Sequence, residues 1–161
     1  MSTLKANLIT KVDGSIYYNT TTPVQTVVYR STNQIATSSS ADSLFLSGTI
    51  TTKTVNPTIL CFIHVKQRVD IGGWNLAYFR VTVAPTSTQI VYSGYNGAYC
   101  SGWIHDYTTE KPYYATAAAG TLFTFNLYVS AYPNGGTNYF NYPSQSADDG
   151  YAIMKLTELG Q

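Results

Sequence analysis

Residues 57–83 read Pro-Thr-Ile-Leu-Cys-Phe-Ile-His-Val-Lys-Gln-Arg-Val-Asp-Ile-Gly-Gly-Trp-Asn-Leu-Ala-Tyr-Phe-Arg-Val-Thr-Val. The stretch predicts a long strand, a tight turn at Gly72-Gly73-Trp74, and a second strand that ends before Ala84-Pro85. Between Ile59 and Val65 the apolar residues are almost continuous and rich in β-branched and aromatic types, as in a strand covered on both faces. A small antiparallel sheet normally leaves one face wet, so a second apolar face asks for a second cover or for another subunit. On this reading Ile59, Cys61, Ile63 and Val65 pack one way, Leu60 and Phe62 the other. His64 and Lys66 mark where the second face turns polar.

Working outward, the remaining segments carry the same signature. Residues 24–30 alternate, with Val24, Thr26, Val28 and Arg30 on one parity. Residues 33–42 read as a loop around three serines, and residues 43–54 as a strand with Leu44, Leu46 and Ile50 on one face. Asn56-Pro57 ends that strand, because proline lacks the donor a strand interior needs. Residues 88–93 and 98–106 are strand candidates on either side of a Gly94-Tyr95-Asn96-Gly97 turn. Residues 108–120 read as a loop with one helical turn over the three alanines, since Pro112 and Gly120 leave too little room for a longer helix. Residues 121–131 give the clearest alternation, Phe123, Phe125, Leu127 and Val129 against Thr124, Asn126, Tyr128 and Ser130. Residues 138–142 make a short strand, and residues 151–159 close the chain with Ala152, Met154 and Leu156 on one parity. Many short strands separated by Gly, Pro, Asn and Ser, without helical periodicity, predict an all-β antiparallel sandwich or barrel, with a jelly roll favoured. No fixed-period repeat argues for a propeller or β-helix.

Composition narrows the function. The 161 residues suit one domain with a real core. Only 11% of them are charged, against about 25% in typical domains, so the surface is polar but largely uncharged. The net charge is +1 without a basic run, which speaks against nucleic acid as a partner. No apolar run approaches the roughly 20 residues of a membrane span. Met1-Ser2-Thr3-Leu4-Lys5 lacks the apolar segment of a signal peptide, so cytoplasmic synthesis is expected. Cys61 and Cys100 show no metal-ligand spacing, and a cytoplasmic chain favours free thiols over a disulfide between them.

The last third resembles a known family. Ala119-Gly-Thr-Leu-Phe-Thr-Phe-Asn-Leu-Tyr-Val129, followed by Asp148-Asp-Gly-Tyr-Ala-Ile-Met-Lys-Leu156, is similar to the closing strands of trimeric jelly rolls. These include the tumour-necrosis-factor and complement globular-head families and small jelly-roll domains on bacteriophage fibres. The final Ile153-Met-Lys-Leu-Thr-Glu-Leu-Gly160 and the opening Met1-Ser-Thr-Leu-Lys-Ala-Asn7 resemble the ends of short virion proteins of marine and cyanobacterial tailed phages. The resemblance implies a homotrimer on a virion surface, as a tail fibre or tip in host attachment or as a capsid decoration. It implies an interface at Leu60, Phe62, Tyr128 and Tyr151. Residues 1–23 are then an arm that docks on another virion protein through Leu4, Leu8, Ile9 and Val12, and residues 24–161 are the jelly-roll domain. The arm has no collagen-like or coiled-coil stalk, so no long shaft is expected.

Binding candidates are aromatics placed in or near predicted loops: Trp74, Tyr95, Tyr99, Trp103, Tyr107, Tyr113 and Tyr114. Their broad faces and polar tips suit a host glycan or protein, and serve equally in core or subunit packing. His64 and His105, with Asp70, Asp106 or Asp148-Asp149, match no metal-ligand spacing, so neither metal nor cofactor is expected. No Gly-x-Ser-x-Gly elbow and few paired carboxylates are present, which argues against an enzyme. A carbohydrate-binding module is the main alternative in another class.

Overall fold

The computed structural model describes residues 8–10, 16–18, 23–69, 75–97, 104–131, 137–141 and 151–160. Every regular element among them is a strand: β1 Leu8–Thr10, β2 Ile16–Tyr18, β3 Pro23–Ser31, β4 Ile35–Thr37, β5 Ser43–Thr51, β6 Thr58–Val69, β7 Asn75–Ala84, β8 Thr88–Gly97, β9 Ile104–Tyr114, β10 Leu122–Ala131, β11 Asn138–Phe140 and β12 Ala152–Leu159. β1 and β2 pair with each other as a two-stranded sheet.

The eight long strands pair antiparallel in a nested order: β3 with β12, β5 with β10, β6 with β9, and β7 with β8. First meets last, second meets seventh, and so inward, as in one long hairpin. Two further pairings, β12 with β6 and β10 with β7, roll that hairpin into two sheets. One sheet runs β3-β12-β6-β9 and the other β5-β10-β7-β8. This is an eight-stranded jelly roll. β11 continues the line of β12 along the same edge of β6, pairing with Gln67 to Val69, and β4 flanks it.

One expectation changes here. β6 and β7 do not pair as a hairpin; they belong to opposite sheets, so the chain changes sheet between Val69 and Asn75. The turn Gly72-Gly73-Trp74 itself lies outside the described residues. Within one copy of the chain the two faces of β6 differ. Ile59, Cys61, Ile63, Val65 and Gln67 are buried between the sheets, whereas Leu60, Phe62, His64 and Lys66 are half-buried on the outside.

The core lies where inward parities meet. Phe123, Phe125, Leu127 and Val129 of β10 and Ala152, Met154 and Leu156 of β12 are all buried, as their alternation requires. Phe79 stacks on Tyr107 at 4.1 Å between centroids, and Tyr113 meets the edges of Phe123 and Phe125 at 5.5 and 5.9 Å. β5 departs from simple alternation. Leu46 faces Leu127 but Leu44 faces Tyr128, so Phe45 is the extra residue of a β-bulge. The bulge turns Phe45 into the core and leaves Leu44 54% exposed, against its expected place beside Leu46 and Ile50.

The strand Ile104–Tyr114 replaces the expected loop over residues 108–114. Pro112 is tolerated because β9 is an edge strand among the described residues, pairing with β6 alone. The alanines after it form no helical turn, because their backbone groups are committed to residues 52–57. Ala115 N–H donates to the Pro57 carbonyl and Ala117 N–H to the Asn56 side chain, while the Ala117 and Ala118 carbonyls accept from Asn56 N–H and the Thr52 hydroxyl. β4 likewise lies within the expected loop of residues 33–42, and Tyr95 belongs to β8, opposite Ala77, rather than to a turn.

Candidate functional site

The outer face of the β3-β12-β6-β9 sheet is built from the parity that the core leaves over. Register places Val28, Lys155, Phe62 and Glu110 in one row across the sheet. Thr26, Thr157, Leu60 and Pro112 form the row on one side of it, and Arg30, Ile153, His64 and Thr108 the row on the other. Val28 is 49% exposed, and Leu60, Phe62 and Ile153 are only half-covered. The cover is cationic: the Lys155 ammonium sits 5.0 Å above the Phe62 ring and the Arg30 guanidinium 5.8 Å from the Tyr151 ring. On the opposite flank β9 presents Glu110 and Asp106. His64 lies between the two sides, with Nδ1 3.1 Å from the Thr108 hydroxyl, Nε2 3.8 Å from the Asp106 carboxylate and its ring 6.5 Å from that of Tyr151. The face therefore has a middle that is apolar at Leu60 and Phe62 and turns polar at His64 and Lys66, the latter opposite Asp106, with a cationic flank on β3 and β12 and a carboxylate flank on β9.

The outer face of the other sheet is different in kind. Thr49, Ser47, Thr124, Asn126 and Thr82 make an uncharged polar surface, in which the Ser47 hydroxyl donates to Asn126 at 2.8 Å. Tyr128 lies there, under the Arg80 guanidinium at 4.5 Å, and Arg80 pairs with Asp42 at 2.7 Å. Of the four residues expected at one interface, Leu60, Phe62 and Tyr151 thus share a face, and Tyr128 is on the opposite side of the sandwich.

Where the two sheets part, between the edge strands β8 and β9, lies a cleft of about 410 Å³. Ile90 and Phe123 form apolar walls, and Thr86, Thr88, Thr116, Tyr113 and Tyr114 bring hydroxyls. Tyr114 is 75% exposed. The other aromatic candidates divide sharply. Tyr107 and Tyr113 point inward from β9 and are buried, so they are core residues, although the Tyr113 hydroxyl still reaches Thr86 in the cleft at 3.2 Å. Trp74, Tyr99 and Trp103, and also Leu4 and Val12 of the arm, fall outside the described residues. Leu8 and Ile9 lie in β1, paired with Tyr18 and Tyr17.

One polar centre went unforeseen. Glu158, fully buried, continues the inward parity of Ala152, Met154 and Leu156 to the rim of the core. Its carboxylate accepts from Lys53 N–H at 2.9 and 3.0 Å, from Thr54 N–H at 2.8 Å, from the Thr54 hydroxyl at 2.7 Å and from the Gln25 amide at 2.5 Å. Burial alone raises its pKa, but the hydrogen bonds from Thr54, Lys53 and Gln25 outweigh that and hold the carboxyl below its ordinary value. It fastens residues 53–54 to the last strand, and the neighbouring Thr52, Asn56 and Pro57 hold residues 115–121. Among the described residues no three His, Cys, Asp or Glu side chains are grouped to hold a metal.

Nested strand order defines the class, a jelly-roll domain. No family model matches the sequence, and no curated protein does. Among solved structures, the T=1 particle protein of infectious bursal virus matches with a TM-score of 0.51 at 10% identity, over 94% of this chain and 42% of that one. The infectious bursal disease virus VP2 subviral particle gives 0.46 at 8% identity over 86% and 42%. Dimeric latent PorU from Porphyromonas gingivalis gives 0.42 at 9% identity over 95% and 14%. At such identity the first likeness is one of fold alone. The chain spans less than half the length of each of these proteins.

Proposed function

We propose that the protein is a non-enzymatic structural protein of a virion, a jelly roll that assembles as a homotrimer on the particle surface of a tailed phage. There it serves as a short tail fibre or tip in host attachment. The observation that carries the reading is the outer face of β3-β12-β6-β9. An apolar middle flanked by cations on one side and carboxylates on the other lets the cationic flank of one copy meet the anionic flank of the next. Such a contact joins unlike patches, and it closes into a trimeric ring where successive copies are related by a threefold rotation. Leu60, Phe62 and Tyr151 lie in the contact, and residues 1–23 dock the ring on another virion protein. The fold's likeness to a viral particle protein supports the virion setting.

Sedimentation equilibrium of the purified chain tests the assembly. A trimer that falls to monomer in Phe62→Glu, with the fold intact by circular dichroism, is the expected result; a monomeric wild type in solution and on particles overturns it. Attachment is tested separately, by competing phage adsorption with purified protein. A second reading, a capsid decoration protein, draws on the same likeness, since the solved structure matched with a TM-score of 0.51 is of a viral particle. It predicts that the protein binds particles and leaves adsorption untouched.

A further inference from the structure

We propose that the cleft between β8 and β9 is a binding site for a neutral saccharide. The inference deepens the attachment reading above and rests on it only for the biological use of the cleft. At about 410 Å³ the cleft falls within the roughly 300–1,000 Å³ of small-molecule sites. Among the described residues no charged side chain lines it. An anionic or cationic ligand would lose its hydration there and gain no counter-charge.

The polar wall is already ordered. Thr86 donates its one hydroxyl proton to the Val83 carbonyl at 3.1 Å. A hydroxyl has a single proton, so its other bonds are donated to Thr86: from the Thr88 hydroxyl at 2.9 Å, the Tyr113 hydroxyl at 3.2 Å and, more weakly, the Thr88 N–H at 3.4 Å. Tyr113 and Thr88 are left with lone pairs, which makes this side of the cleft an acceptor for ligand hydroxyls. Tyr114 supplies an exposed ring, suited to stacking on the C–H face of a pyranose, with a hydroxyl at its tip. A purely apolar ligand would strand these hydroxyls. An extended peptide adding to the edge of β9 would meet Pro112, which has no N–H to offer.

The test is an amide-resolved NMR titration of the full chain with D-glucose, D-galactose and maltose, and with D-glucuronate as the charged control. The expected result is a Kd of about 1–10 mM for the neutral sugars, the range open to ligands of this size, with shifts confined to residues 86–90 and 112–116. Tyr114→Ala, at an exposed position, keeps the fold and weakens binding about tenfold; Thr88→Val weakens it about fivefold. No shift at about 100 mM sugar, undiminished binding by Tyr114→Ala, or glucuronate bound as well as glucose overturns the assignment. A sugar that binds without competing against phage adsorption leaves the cleft assignment standing and removes the attachment reading. Adsorption blocked by a protein that binds none of the sugars does the reverse.

Discussion

Replacing Glu158 takes the acceptor from four donors at once: Lys53 N–H, Thr54 N–H, the Thr54 hydroxyl and the Gln25 amide. Hydrogen bonds to a charged group contribute about 1.5–3 kcal/mol each, but these do not simply add. Lys53 is exposed and Thr54 half-exposed, so water can recover part of what is lost there. With about two donors left dry, Glu158→Ala should cost about 3 kcal/mol or a little more, which for a chain of this length lowers Tm by roughly 6–12 °C. Glu158→Gln keeps the shape and one acceptor oxygen but turns an amide toward donors, and should cost about 1.5–2 kcal/mol.

The pH dependence gives a sharper comparison. Because the folded carboxyl titrates below its ordinary value, the unfolded chain binds more protons in the acid range. Its contribution is complete above the unfolded pKa of about 4.3 and is lost as pH falls through the folded value. Urea unfolding of wild type and Glu158→Gln from pH 7 down to pH 3 isolates this contribution, since the other carboxylates are common to both. The gap between the two curves should close as pH falls below about 4.3. Equal stability at pH 7, or a gap that stays constant to pH 3, would refute the role given to this carboxylate.

Other expectations follow from single contacts. A Cβ on Gly48 would lie 2.5 and 2.9 Å from carbons of the Tyr29 ring and 3.0 Å from Met154 Sδ, and the ring is held by its hydroxyl on the Thr49 carbonyl. Gly48→Ala should therefore cost about 1–3 kcal/mol by thermal melting, and a neutral result would mean that the ring yields. The β-bulge predicts unequal neighbours: Phe45→Ala should lose about 3–5 kcal/mol and Leu44→Ala no more than about 0.5 kcal/mol, and the reverse ranking in denaturant melts would contradict the register. Burial, and then the nearby Glu110 carboxylate, push the Cys61 thiol up to about 12. The peptide carrying Cys61 should resist iodoacetamide at pH 8 in the native protein and react on unfolding, which mass mapping can follow; equal labelling in both states would contradict that burial.

Elements with strict two-residue alternation were legible in the sequence. Phe123 to Val129 and Ala152 to Leu156 face inward as their parity demands, because a sheet with one covered face leaves a strand little choice of register. Parity would have placed Glu158 as well, since it continues the same inward series. Pairing partners were less legible. Gly72-Gly73 favours a turn, but a turn does not say whether the next strand joins the same sheet or the facing one. Leu60 and Phe62 read as a second apolar face, and within one copy that face is half-covered, with the Lys155 ammonium over the Phe62 ring. Pro112 hid β9, and with it the inward parity of Tyr107 and Tyr113. The cleft could not be read at all, because it arises where two consecutive strands lie at the edges of opposite sheets, a placement that no local pattern encodes.

β12 lies between β3 and β6, with Leu156 opposite Val27 on one side and Cys61 on the other. A nascent chain leaving the ribosome therefore holds an empty strand position in the middle of its first sheet until residues 152–159 emerge. Up to that moment β3 and β6 each display an unpaired apolar edge to every other chain on the same polysome. Correct closure is a race between the arrival of the native strand and the insertion of a neighbour's, so yield should depend on synthesis rate and temperature more than on the stability of the finished domain.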